Sequence, residues 1–283
     1  MTLRALPSDF SADVVDAIDA ALAGIEAEHG ATILLAIESG SRAWGFPSPD
    51  SDYDCRFVFV RPVAHYLSPW SRRDVIELPL EDELDVNGWD LGKALKLLLK
   101  GNAVIIEWLR SPIVYRGDAG LRDALLAFAA RFADRDLIGR HYLHLGERQR
   151  HAHFGDGKAV AQKKIFYALR PAATLRWLRL HPDQAVAPMH FPTLMAECDP
   201  PEAVTVLVDD LLVRKAVTRE LGTEPLPPAI AGFIDGEFEQ ARPLFEGKAS
   251  PPTDEAREAA EALFREAAMR WDRGRVRPGS GPG

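Results

Sequence analysis

The chain has 283 residues, 47% hydrophobic and 27% charged, a composition that suits one large domain or two modest ones. Its net charge of −8 excludes a global positive field, so a polynucleotide has to be held by a local basic patch. Two cysteines, Cys55 and Cys198, exclude a disulfide framework and a C-x-x-C metal pair. The absence of a basic-then-apolar leader and of about 18 uninterrupted apolar residues argues against secretion and membrane spanning, so a reducing cytoplasm with no disulfide-linked and no membrane partner is expected.

In chain order, Ser8 is placed to cap a helix with apolar positions Val14, Ile18, Leu22 and Ile25, and Gly30 to stop it. Residues 31–39 (ATILLAIES) read as a buried strand, 40–51 (GSRAWGFPSPDS) as a loop, and 52–62 (DYDCRFVFVRP) as a second strand ended by Pro62. Residues 74–80 and 83–89 read as two strands joined by a tight acidic turn. A helix over 90–101 follows, with Asp90 as cap and Gly101 as stop, then a short helix at 103–109 and a strand in SPIVYRG. After residue 118 the strand signals cease, and helical patterns recur near 119–132, 135–154, 158–180, 201–221, 229–246 and 252–273. The expectation is an α+β fold: a sheet with flanking helices over 1–118, a helical domain over 119–273 that closes on it, and a disordered tail over 274–283.

The chemistry concentrates in Gly40-Ser41, ten residues, then Asp52-Tyr53-Asp54. Two carboxylates spaced by two in a strand share a face and repel unless a cation lies between them. Oxygen ligands of this kind suit Mg²⁺, which is held by one or two carboxylates together with substrate phosphates. A Gly-Ser turn at a strand end lets the backbone and a hydroxyl approach a phosphate. Either element alone is common; the ordered combination is specific.

That combination resembles the signature of the DNA polymerase β nucleotidyltransferase superfamily: an apolar strand, Gly-Gly or Gly-Ser, a spacer of about nine to thirteen residues, then Asp-hydrophobic-Asp/Glu. Together with DVNGWDLGKALKLLLKGNAVIIEWLRSPIVY and KKIFYALRP, the segment GSRAWGFPSPDSDYDCRFVFV resembles nucleotidyltransferases of the YcgL type, polymerase β-like proteins associated with RNA ligases in bacterial RNA repair. The likeness runs from about residue 33 to 180. It implies a polymerase β-type sheet and transfer of NMP from an NTP such as ATP to an acceptor hydroxyl, an RNA 3′ end being one acceptor. Asp52, Asp54 and a third carboxylate would hold Mg²⁺, or Mn²⁺ in its place. Candidates for the third are Asp85, inside a strand, and Asp90, which capping already explains, with Glu81, Asp82 and Glu83 behind them.

For the triphosphate the candidates are Gly40 and Ser41, Arg42, which follows Ser41 and could equally be a surface loop charge, and, as the resemblance implies, the helical stripe Lys163, Tyr167 and Arg170, with Lys164 a third of a turn away and Lys93 and Lys96 as second choice. A basic stripe is in general a solvated face. Trp44, Phe46 and Trp89 are candidates to stack a base, though such aromatics more often pack a loop. Asn102 reads as a helix cap, Glu107 as a structural ion pair, Glu38 as a solvated strand end and Cys55 as a small core residue; His141, His144, His151 and His153 read as surface or packing histidines. A protein or small-molecule acceptor would use the same site, and a silent nucleotide-binding module is the non-enzymatic alternative.

Overall fold

The computed structural model describes residues 2–79, 83–155, 157, 159–219, 221–247 and 251–273. The acidic turn with Glu81 and Asp82, and the 274–283 tail, lie outside the described residues. In chain order the elements are β1 (Thr2–Ala5), α1 (Ala12–His29), β2 (Thr32–Glu38), α2 (Gly40–Trp44), β3 (Tyr53–Val60), α3 (Val63–Tyr66), β4 (Val75–Glu77), β5 (Leu84–Asp90), α4 (Leu91–Leu99), α5 (Ala103–Arg110), β6 (Val114–Asp118), α6 (Ala119–Phe132) and α7 (Arg135–Phe154). Then come β7 (Val160–Ala161), α8 (Gln162–Leu180), α9 (Phe191–Cys198), α10 (Glu202–Val217), β8 (Thr223–Glu224), α11 (Pro228–Phe245) and α12 (Asp254–Arg273). The fold is α+β, as the sequence predicts, with no helix long and apolar enough to cross a membrane among the described residues.

A six-stranded sheet runs β1-β6-β2-β3-β5-β4, with β3 and β5 parallel and the other pairs antiparallel. Its strands alternate. Tyr53, Cys55, Phe57 and Phe59 of β3 join Ile18, Leu22 and Ile25 of α1 on one face, where Cys55 is a buried free thiol. Val58 and Val60 face the other way, onto a core shared with α4, α5, α6 and α12. A third core is formed by α7, α8, α9, α10 and α11, and takes in Phe46, Ala103 and Ile106 from the first part of the chain. The division expected at residue 118 therefore does not match the division of cores, because α6 and α12 cover the sheet.

Several local expectations are corrected. Ser11, not Ser8, precedes α1, because Phe10 N–H turns back to the Pro7 carbonyl and takes residues 7–10 out of the helix. The 40–51 segment contains the helical turn α2. Residues 160–161 pair with 223–224 before α8 begins at Gln162. The strand β1, the turn α3 and the helix α9 were not expected; at four, four and eight residues they are too short to show a period.

Candidate active site

Alternation along β3 puts Asp54 and Arg56 on the opposite face from Tyr53 and Cys55. Asp52 lies one residue before the strand and is exposed. Both carboxylates line a cleft of about 370 Å³, together with Gly40, Ser41, Trp44 and the serines of the 48–51 turn. Gly40 has φ +58°, and a Cβ there would collide with the Asp54 carboxylate, so only glycine brings this turn onto Asp54. Ser39 N–H donates to the Asp54 carbonyl at 2.8 Å, which ties the turn to the strand.

Hydroxyls then chain through the loop. Ser41 Oγ donates to Ser51 Oγ at 2.9 Å, and Ser51 Oγ accepts from Ser48 N–H at 2.8 Å. Arg42 does not line the cleft. Its guanidinium donates to the carbonyls of Ser51 and Asp52 and lies 3.8 Å over the Tyr53 ring, so it clamps the loop from behind. The far wall of the cleft is cationic: Lys163, Lys164 and Tyr167 of α8, and Lys215 of α10. Burial and the nearby Asp54 and Asp52 push the Tyr167 hydroxyl pKa up.

The candidate for a third carboxylate, Asp85, lies on the neighbouring strand of the sheet. In the parallel β3–β5 pair Asp54 stands opposite Asp85, and Arg56 bridges them, 2.8 Å from Asp54 Oδ1 and 2.7 Å from Asp85 Oδ2. Asp90 is at the other end of β5. It caps α4 by accepting from Gly92 N–H at 2.8 Å and accepts from the Tyr66 hydroxyl at 2.6 Å. Asp85, not Asp90, is the carboxylate beside the pair.

Arg170 departs most from expectation. It is buried, paired with Glu107 and stacked 4.1 Å over the Trp44 ring. Glu107 also accepts from the Tyr142 hydroxyl at 2.7 Å and from Trp44 Nε1 at 3.2 Å. This is an internal brace between α5 and α8, as read for Glu107, and it turns Arg170 away from the cleft. Asn102 caps α5 through Val104 N–H. Lys93 pairs with Asp74 at 3.1 Å, and Lys93 and Lys96 both line a different groove, away from the cleft. Trp89 packs on Trp108 in the interior, while Phe46, buried and stacked on Phe166, lines the cleft together with Trp44.

A profile of the RNA repair pathway DNA polymerase beta family matches residues 14–266. The chain belongs to that family. An uncharacterized protein YcgL of Bacillus subtilis (strain 168) is 38% identical over 216 residues, 76% of this chain and 82% of the relative. Membership in the polymerase beta family supports nucleotidyl transfer as the general chemistry of the chain.

Two residues of this family member escaped the sequence reading. Lys215 is buried: its Nζ donates to the Phe46 carbonyl at 2.7 Å, and desolvation brings its pKa down to about 8. Its signal was its place at the end of the spacing Val204, Val208, Leu211, Lys215, a lysine on a buried stripe. Glu38 is fully buried, not a solvated strand end; it accepts from Asp54 N–H at 3.0 Å and from the Tyr115 hydroxyl. Burial raises its pKa to about 7.

The donors suit a hard cation. Asp52 and Asp54 offer oxygens only, and desolvation raises the Asp54 pKa, the mark of a carboxylate whose charge is under-compensated. Among the described residues no three His, Cys, Asp or Glu side chains converge at metal-binding spacing, since the Arg56 guanidinium stands between Asp54 and Asp85.

Proposed function

We propose that this chain moves NMP from a nucleoside triphosphate to an acceptor hydroxyl with release of pyrophosphate, and that an RNA 3′ end is the acceptor. One observation supports this above the rest. A glycine turn with two carboxylates forms one wall of the cleft, and lysines from α8 and α10 form the other. Carboxylates without cations would repel a triphosphate, and lysines alone would hold it without activating anything; facing each other, they divide the two tasks.

In this reading Asp52 and Asp54 hold Mg²⁺ or Mn²⁺, which when bound supplies the positive charge that steadies the leaving pyrophosphate and acidifies the attacking hydroxyl. Lys163 and Lys164 take the outer phosphates. The backbone of Gly40-Ser41 takes a phosphate oxygen, and the hydroxyls of Ser41, Ser48 and Ser51 keep that turn in shape. Lys215 holds the 46–51 loop against the helical half. Asp85 is the third carboxylate. It reaches the acceptor hydroxyl's proton once Arg56 turns from the carboxylates to the triphosphate. The ATP-type substrate, the RNA acceptor and a cytoplasmic setting belong to this proposal together.

The test is incubation with each α-labelled NTP, a divalent cation and RNA ending in either a 3′-hydroxyl or a 3′-phosphate. Label on the hydroxyl-ended RNA alone is expected. Label on the protein, or on neither RNA with NTP binding intact, would move the acceptor to a protein or a small molecule. Absence of NTP binding would make the cleft a silent module.

A further inference from the structure

A second groove, of about 730 Å³, lies at the far end of β5, between the 67–74 loop, α4 and α12. At about 3.3 Å per strand residue, Asp90 at its rim is roughly 16 Å along the strand from Asp85. Six lysines and arginines line it against three carboxylates, in a chain whose net charge is −8. Asp74 is already matched by Lys93, and Asp90 is occupied by Tyr66 and the α4 N-terminus. Arg73 and Arg257 are matched in turn by Glu77 and Asp254, which leaves Arg72, Lys96 and Lys100 facing Glu261 and makes the lining locally positive where the whole molecule is negative. Burial and the guanidiniums of Arg61 and Arg72 push the His65 pKa down, in keeping with that charge.

The cations are ordered. Lys93, Lys96 and Lys100 recur at i, i+3 and i+7, one line along α4, while Leu91, Leu95 and Leu98 bury the opposite side. Seven residues of helix span about 10 Å, the length of about three stacked nucleotides. Across the groove Trp70 is 80% exposed and lines it together with Arg72. A solvated helix face accounts for lysines but leaves the tryptophan in water without reason. An aromatic plate beside a row of cations is the surface on which single strands lie, with phosphates on the lysines and a base on the ring.

We propose that this groove binds single-stranded nucleic acid, with backbone phosphates on Lys96, Lys100 and Arg72 and one base stacked on Trp70. The site does not depend on the reaction assigned to the other cleft, and binding is read without turnover.

The test is fluorescence anisotropy of the full chain with a labelled oligouridylate of about a dozen nucleotides, an oligodeoxyuridylate of equal length and a blunt duplex. Both single strands are expected to bind above the duplex, and a preference between them identifies whether the 2′-hydroxyl is read. Trp70→Ala weakens single-strand binding about tenfold, and Trp70→Phe restores most of it. The pair Lys96→Ala and Lys100→Ala lowers the slope of log K against log salt by about 1.4. ATP binding stays unchanged in all of these exposed-surface variants, so a failure here is separable from a failure of the catalytic reading. The proposal is overturned if Trp70→Ala binds as the parent does, if the loss appears only with Lys163→Ala and Lys164→Ala, or if an acidic peptide binds the groove while the oligonucleotides do not.

Discussion

Arg56 bridges Asp54 and Asp85, its Nη2 lying 2.8 Å from one carboxylate and 2.7 Å from the other. The two acids stand opposite each other on parallel strands, so without a cation they would repel. The guanidinium supplies that cation within the fold, and the divalent ion of the proposed reaction would compete with it for the same charge.

Arg56→Ala removes the internal cation. The variant is expected to lose about 1–3 kcal/mol of stability in the absence of divalent ions. Magnesium should then raise its Tm more than it raises that of the parent. Thermal unfolding with and without Mg²⁺ checks this; equal Mg²⁺ shifts in the two proteins would separate Asp54 and Asp85 from metal binding.

Glu38 sets a pH dependence. Its carboxyl rises to about 7 in the folded chain from an ordinary 4.5, so the folded state holds the proton more tightly than the unfolded one. The associated stability is fully present below about pH 4.5, falls as pH rises towards 7, and is then level. The loss is on the order of 3 kcal/mol. Glu38→Gln, which keeps an acceptor for Asp54 N–H, should flatten this slope in denaturant unfolding across that window. An unchanged slope would assign the dependence to other groups.

Arg170 and Lys163 sit two turns apart on α8 and are expected to behave differently. Arg170→Ala strands Glu107 inside the protein and should cost about 3–5 kcal/mol. Lys163→Ala should lower Tm far less than Arg170→Ala does and raise the KM for NTP about tenfold or more. A stable Arg170→Ala protein with a raised KM would return that residue to the triphosphate.

Lys215→Met keeps the aliphatic stem but loses the bond to the Phe46 carbonyl. A loss of about 1–3 kcal/mol is expected, along with faster proteolysis in the 46–51 loop. Limited digestion with mass mapping reads this directly; protection equal to that of the parent would show that the loop holds without the lysine.

The grouping of the glycine turn with the two carboxylates on one wall of the cleft was legible because its parts are local. Gly40, Ser41, Asp52 and Asp54 lie within fifteen residues, and the residue types carry the chemistry at a readable spacing. Asp85 could be favoured over Asp90 because it lay within a strand, whereas Asp90 had a cap to serve. The cationic wall was legible only in part. Lys163, Tyr167 and Arg170 do share a helix face, but α8 crosses the cleft at one end and the buried Glu107 at the other, and helical period alone does not show where the crossing falls. The partners of Glu38 and Lys215 come from 77 and 169 residues away, a separation that local pattern does not span. Arg42 could be read two ways from its place after Ser41, towards a phosphate or as a loop charge, because the Tyr53 ring and the two carbonyls that hold its guanidinium lie nine to eleven residues further on.

The most direct test is pyrophosphate release from NTP in the presence of Mg²⁺ and 3′-hydroxyl RNA, with the parent, Asp52→Asn and Asp54→Asn compared at matched folded concentration. The account predicts Mg²⁺-dependent release by the parent and a loss of at least about a hundredfold in each variant, with circular dichroism unchanged. Release by Asp54→Asn at the parent's rate would contradict it.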